Sequence, residues 1–220
     1  MRRMVPFLMM WLAVAALPQP AHAGSWTASI DGGASVPTGD FGSENKANAQ
    51  TGWRIGGAAD YRWNTSWAFG VDAGWNQNTH GAEGDVVVDG SGNTSTIDQA
   101  SFNVWSAGGH AKYFFPVQSQ VVQWYGTMGA GFYGFTQKIT TTLTAGGTPT
   151  TTEGEFSDKR AGMKLGFGGM YWANPQVAVG ASLDYNIAFL DKDSSPFSSL
   201  QYMGINVGVT FNIPTENSDK

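Results

Sequence analysis

Few side chains in this sequence could do bond-making chemistry. Cysteine is absent, so the chain carries no disulfides. Behind the first 23 residues only His80 and His110 remain as imidazoles. His80 has Asp85, Asp89, Ser91 and Ser95 near it in sequence, the residue types of an acyl-transfer triad. A nucleophile, base and orienter must meet in space. Serines and aspartates are common in any polar loop, so a solvated loop histidine is the plainer reading. Asp89-Gly90-Ser91-Gly92-Asn93 has the opening of a calcium loop. It lacks the further spaced carboxylates and the closing glutamate, and reads as a tight turn. No phosphate-cradling or nucleic-acid motif is present. No catalytic residue, cofactor or metal ligand is therefore expected, and the chain is read as a non-enzyme.

A second set of reactive types is more orderly. Asp31, Arg54, Asp60, Arg62, Asp72, Lys112, Lys164 and Asp184 each fall within a run of period-two hydrophobicity, on the polar side of it. Such alternation places successive side chains on opposite faces of a strand. Eight runs are read as strands: 26–36, 52–63, 67–76, 101–115, 121–136, 160–172, 176–190 and 200–213. One face of each is apolar, for example Trp67, Phe69, Val71, Ala73 and Trp75 in the third run, or Met203, Ile205, Val207, Val209 and Phe211 in the eighth. The other face carries Gly, Ser, Asn and the charges.

Aromatics collect at the ends of the apolar stripes. Trp26, Trp63, Trp67, Phe115, Trp124, Tyr171 and Phe211 would form one rim. Trp53, Trp75, Trp105, Phe132 and Phe189 would form the other. A soluble sandwich has no reason to sort Trp to strand ends, whereas a bilayer selects two such girdles. The connections alternate as well. Asn64-Thr65-Ser66, Pro116 to Gln120 and Ala173 to Pro175 are short, while 37–51, 77–100, 137–159 and 191–199 are long. This is the inside-outside asymmetry of a closed membrane barrel. The expected fold is thus all-β, an eight-stranded antiparallel up-and-down transmembrane β-barrel spanning 24–213. The longest loops hold strand-like pieces, Val86–Val88 with Thr94–Ile97 and Ile139–Leu143 with Thr148–Thr152. They predict that strand pairs three–four and five–six protrude as ribbons.

The ends of the chain have separate roles. Arg2 and Arg3, an apolar stretch from Val5 to Leu17, and Ala21-His22-Ala23 read as an export signal over 1–23. No cysteine follows the cleavage point, so lipid attachment there is excluded. Removing the signal leaves ten basic and 17 acidic residues, a net of −7, which disfavours nucleic acid as a partner. Residues 214–220 read as a short polar periplasmic tail. With 30 Gly, 9 Trp and only 13% charged residues, the composition is unlike that of a soluble protein. After the signal no apolar run is long enough for a membrane helix.

By these features the chain resembles the small eight-stranded outer-membrane barrels, the family that includes the barrel of outer-membrane protein A and the attachment-and-invasion proteins. Ala34-Ser35-Val36-Pro37-Thr38-Gly39-Asp40-Phe41-Gly42 looks like the end of the first strand and first loop of that family. Asn206, Gly208, Phe211 and Ile213 resemble its assembly signal. In many members that signal ends the chain, whereas here seven residues follow Ile213. The resemblance implies a place in the bacterial outer membrane, contact with its lipid, handling by the barrel assembly machinery, and a monomeric state.

A barrel of eight strands is narrow enough for side chains to fill it. Four acids then face four bases, with His110 neutral beside them. Buried charges persist when paired, so a charge-plugged lumen is expected, with Lys164–Asp184 as the first pairing and Arg54 with Asp72 or Asp31 as the second. The role implied is structural or surface-interactive, through acidic, Thr-rich loops. The alternatives are a small porin, a lipid-modifying enzyme using His80, or a soluble lipocalin-like carrier.

Overall fold

The computed structural model describes residues 23–213 apart from 45–46, 82–83, 85, 91, 118, 120, 146–147 and 190–198. The export signal up to residue 22 and the tail at 214–220 lie outside the described residues, as do Asp85 and Ser91. The strands are β1 Trp26–Thr38, β2 Gly52–Arg62, β3 Trp67–Thr79, β4 Val86–Val88, β5 Thr94–Phe114, β6 Val122–Ala145, β7 Thr148–Asn174, β8 Val177–Phe189 and β9 Ser199–Ile213. One short helix, α1 Gly39–Gly42, follows β1.

Eight of these strands form a ring. Each neighbouring pair is antiparallel, and β1 pairs with both β2 and β9, which closes it. Closure leaves no strand edge within the ring, the condition for placing backbone in hydrocarbon. The alternation drives the two faces apart. Ile30, Val71, Phe132, Leu165 and Val207 project from the outer wall, with Val207 68% exposed. On a soluble protein such a belt would be a costly apolar surface; facing lipid, it is the favourable one.

The aromatics expected at the two interfaces sit on this outer wall. Trp26, Trp53, Trp63, Trp67, Trp75, Trp124, Tyr171 and Phe211 are exposed, and Trp105 is half-buried. Several pair along the inner rim, with ring centroids 5.2 Å apart for Trp26–Tyr61 and 5.0 Å for Trp67–Tyr113. Trp105 lies flat across β6 because Gly134 stands beneath its indole, where a Cβ would overlap the ring.

The inner-rim ends of the strands agree with the sequence reading to within two residues. The outer ends of β1, β2, β8 and β9 agree as closely, while those of β3, β5, β6 and β7 lie further out. The segment 137–159, expected as a long loop, is almost wholly strand: β6 runs out to Ala145 and β7 begins at Thr148. The expected ribbon between strands five and six is present, in unbroken register from Gln137↔Phe156 to Ala145↔Thr148. The ribbon expected between three and four takes a different form. β3 stops at Thr79, whereas β5 starts at Thr94 and pairs along β6 from Thr94↔Thr144. β4 then adds to β5 as a hairpin, Val86↔Thr96 to Val88↔Thr94. The physical reason is that the chain leaves β5 after Thr79, where His80 bridges Ala49 and Gly81 N donates to Asn48 O, while β6 runs on to Ala145. The two hairpins therefore fuse into one protruding sheet, β4-β5-β6-β7. The β5–β6 register shifts between Ile97 and Gln99, as at a β-bulge, and Thr142 Oγ1 donates to Asp98 Oδ2 there at 2.5 Å.

Candidate functional site

The inward positions of the ring form three layers. The middle layer is ionic. Lys112 Nζ lies 2.6 Å from Asp60 Oδ2, and Lys164 Nζ lies 2.8 Å from Asp72 Oδ1. His110 stands between them, with Nε2 2.5 Å from Asp60 Oδ1 and Nδ1 2.7 Å from Asp72 Oδ1. Arg54 makes looser contacts, 3.6 Å to Asp184 and 4.0 Å to Asp31. Asn206 Nδ2 donates to Asp184 Oδ2 at 2.7 Å and to Ser182 Oγ at 3.1 Å. Around these groups lies a polar cavity of about 90 Å³.

Three features of this layer differ from the sequence reading. Lys164 does not pair with Asp184; it crosses the lumen from β7 to Asp72 on β3. Asp184 on β8 instead faces Arg54 on β2, also across the lumen. Strand shear sets which residues share a level, and that is invisible in any one strand. Nor is His110 a bystander. A carboxylate only accepts, so both its contacts are satisfied when both ring nitrogens carry hydrogen. It then supplies the fourth positive charge opposite Asp31, Asp60, Asp72 and Asp184.

Arg62, expected among the four bases of the ionic network, belongs to the layer below. Its guanidinium lies 3.6 Å over the Phe114 ring. It donates to Gln123 Oε1 at 3.1 Å and to the carbonyls of Asn64 and Thr65 at 3.3 and 2.8 Å. Trp172 Nε1 donates to the same Gln123 oxygen at 3.3 Å. Ala68, Phe114, Met170, Trp172 and Ala178 make the apolar cluster of this inner end, and Trp172 is fully buried.

The outer layer is the larger apolar cluster. Phe102, Val104, Tyr133, Phe135, Ala188, Leu200 and Tyr202 project inward from the strands. Phe41 descends onto them from α1 and is fully buried. Its ring meets Phe102 at 5.3 Å and Phe135 at 6.3 Å, both edge-on, the geometry aromatic quadrupoles favour. Gly39 turns the chain inward with φ of 55°, a conformation that suits glycine. The strap carrying Phe41 is tied down along its length. Asn78 Nδ2 donates to Ser35 O and Gln50 O at 3.1 and 2.8 Å, and Gly81 N donates to Asn48 O at 2.8 Å.

His80 belongs to this lid. It bridges Ala49 in the backbone, and its ring lies 5.6 Å from that of Phe102. Asp89 accepts from Asn93 N and Nδ2, both at 2.9 Å, closing the β4–β5 turn. Among the described residues no cluster of His, Asp and Glu is arranged to hold a metal ion.

The glycine content finds its use here. A Cβ on Gly204 would overlap the Arg54 guanidinium, and one on Gly166 would overlap the Asp184 carboxylate. Bare backbone on the inner wall makes room for long charged side chains crossing a narrow lumen.

The sequence held a usable signal for both apolar ends. Phe102, Val104, Phe114, Phe135, Met170, Trp172 and Leu200 are apolar residues on the polar parity of their strands, and they occur near the ends of the eight runs of alternating hydrophobicity. Phe41 carried no such signal, since a loop has no parity.

A family model described as outer membrane protein beta-barrel domain matches residues 9–212. Among solved structures, the chain is similar to Neisserial surface protein A, at 18% identity and a TM-score of 0.51, covering 86% of this chain and 97% of that one. It is similar to the outer membrane protein OprG from Pseudomonas aeruginosa, at 9% identity and a TM-score of 0.54, covering 90% and 100%. It is also similar to Ail, the attachment invasion locus protein of Yersinia pestis, at 18% identity and a TM-score of 0.45, covering 87% and 99%. No curated protein matches the chain.

Proposed function

Since the chain belongs to the outer-membrane β-barrel family and is a protein of the bacterial outer membrane, we propose that it works as a closed barrel, bracing the membrane and offering its extracellular sheet to partners. The observation that carries this reading is the lumen itself. Two apolar clusters, one sealed from above by Phe41 and one built around Trp172, bound the ionic layer between them. A hydrated ion crossing either cluster would shed much of its water against buried rings, Phe41, Phe102 and Phe135 above and Phe114 and Trp172 below.

The ionic layer has a mechanical part in this account. Its bridges join β2 to β8 and β3 to β7, strands that are not neighbours in the ring, so they hold the cross-section against flattening. The barrel acts as a monomer in contact with outer-membrane lipid. Asn206, Gly208, Phe211 and Ile213 are read by the assembly machinery during biogenesis. No catalysis, cofactor or nucleic acid enters this function.

Truncating the β4–β5 hairpin and the β6–β7 ribbon tests it on whole cells. Surface binding or adhesion falls while the barrel still assembles. Unchanged adhesion, surface binding and envelope integrity after both truncations would contradict the reading. The second reading, a small porin, draws on the 90 Å³ polar chamber and predicts steady conductance.

A further inference from the structure

The protruding sheet has two edges, and they are built differently. Above residue 161, β7 is one edge, since its pairing with β8 begins at Gly162. That edge carries Pro149, Glu153, Glu155, Lys159 and Arg160. Proline and charge, lysine above all, are the usual guards against unwanted strand addition. The other edge is β4, the terminal strand in the sheet order. It consists of three valines and nothing else.

Val86, Val87 and Val88 are 57, 65 and 62% exposed. Three β-branched apolar side chains in succession put valine on both faces of the edge, where a lone exposed apolar residue would need no explanation. The backbone is equally open. Asp89 N donates to Asn93 O at 3.0 Å, so the 89–93 pair is hydrogen-bonded. Antiparallel pairs alternate, which makes Val87↔Ser95 the next bonded pair. The peptide groups of Val86 and Val88 then point outward, away from β5.

The charge around this edge has one sign. Between Arg62 and Lys112 the sequence has no lysine or arginine. Asp89 lies in the hairpin turn at one end of β4, and Asp98 lies on β5 toward the other end. Asp89 accepts from Asn93 in the turn, and Asp98 accepts from Thr142.

We infer that β4 is a strand-addition site for an extended polypeptide whose alternating apolar residues are flanked by lysine or arginine. This rests on the reading above, that the extracellular sheet is the interacting part, and names the partner class. Main-chain pairing to Val86 and Val88 supplies affinity, the valines supply apolar contact, and the acids select the flanks. The partner strand is short because β4 is short, so the interaction is a weak one that avidity or a second contact would strengthen.

The test uses the full-length protein in lipid nanodiscs and two fluorescein-labelled peptides, Lys-Lys-Thr-Val-Thr-Val-Lys-Lys and its counterpart with Glu in place of Lys. The basic peptide binds, and the acidic one binds at least tenfold more weakly. The double variant Val86→Pro/Val88→Pro removes both outward donors without touching the bonds to β5. It weakens the basic peptide about tenfold or more, as expected for two lost hydrogen bonds, with heat-modifiable mobility unchanged. Val86→Thr/Val88→Thr keeps the donors and weakens it less. Equal binding by the proline variant, or equal binding of the two peptides, overturns the proposal. So does a wild type that binds neither peptide. If that happens while loop truncation still abolishes adhesion, strand addition falls and the surface reading stands. Peptide binding without any adhesion phenotype upon truncation separates them the other way.

Discussion

Removing the Asp72 charge tests the cross-lumen bracing where the Lys164 bridge meets His110. Asp72 holds Lys164 at 2.8 Å and His110 at 2.7 Å, with side-chain exposures of 19% for Asp72 and 15% for Lys164. Asp72→Asn keeps the shape and a carbonyl acceptor but leaves Lys164 without its counter-charge and His110 with Asp60 alone. Breaking a buried pair from one side costs about 3–5 kcal/mol. Lys164→Met should cost less, because Asp72 keeps His110. The double variant Asp72→Asn/Lys164→Met should then cost less than the sum of the singles by roughly 2 kcal/mol, the size of coupling found between contacting residues. Urea unfolding in lipid vesicles, followed through the tryptophans, measures each cost, with heat-modifiable mobility as a check on assembly. A loss below about 1 kcal/mol for Asp72→Asn, or strict additivity in the cycle, would refute the claim that this pair braces the barrel.

Three further outcomes follow from the same geometry. Val207→Arg places a charge in the mid-belt of the outer wall and should destabilise the barrel in vesicles by about 2–4 kcal/mol; a neutral result would remove Val207 from the lipid face. Gly204→Ala puts a methyl where Arg54 lies and should lower stability by about 1–3 kcal/mol through overpacking, while Ala at the exposed turn residue Gly90 should change little. Phe41→Ala and Trp172→Ala each remove a fully buried ring at about 3–5 kcal/mol; in planar bilayers each single variant should stay silent and the double variant should show open-channel events.

What the residues disclosed depended on whether the information was local. Period two in runs such as Trp67 to Trp75 is a property of one strand, so strand number, lipid face and inner-rim boundaries were all readable. The partners of Lys164 were not, because the choice between Asp184 on the adjacent β8 and Asp72 across the barrel is made by shear and lumen shape. Arg62 looked like its charged neighbours by parity alone, yet its position one step from the inner rim put Phe114 and Gln123 against it instead of an acid. His110 was readable as lumen-facing but not as a bridge, since Asp60 and Asp72 lie on two other strands. Phe41 needed the path of a loop, which no periodicity encodes. The free valine edge of β4 depends on β5 pairing with β6 beyond the end of β3, a non-local match that no single strand encodes.

Single-channel recording of the wild-type protein in planar bilayers tests the central claim most directly, that apolar clusters at both ends close the lumen. The account predicts a flat baseline in molar KCl across ±100 mV (about 2.3 kcal/mol per unit charge per 100 mV). Steady, reproducible conductance steps from the unaltered barrel would contradict it.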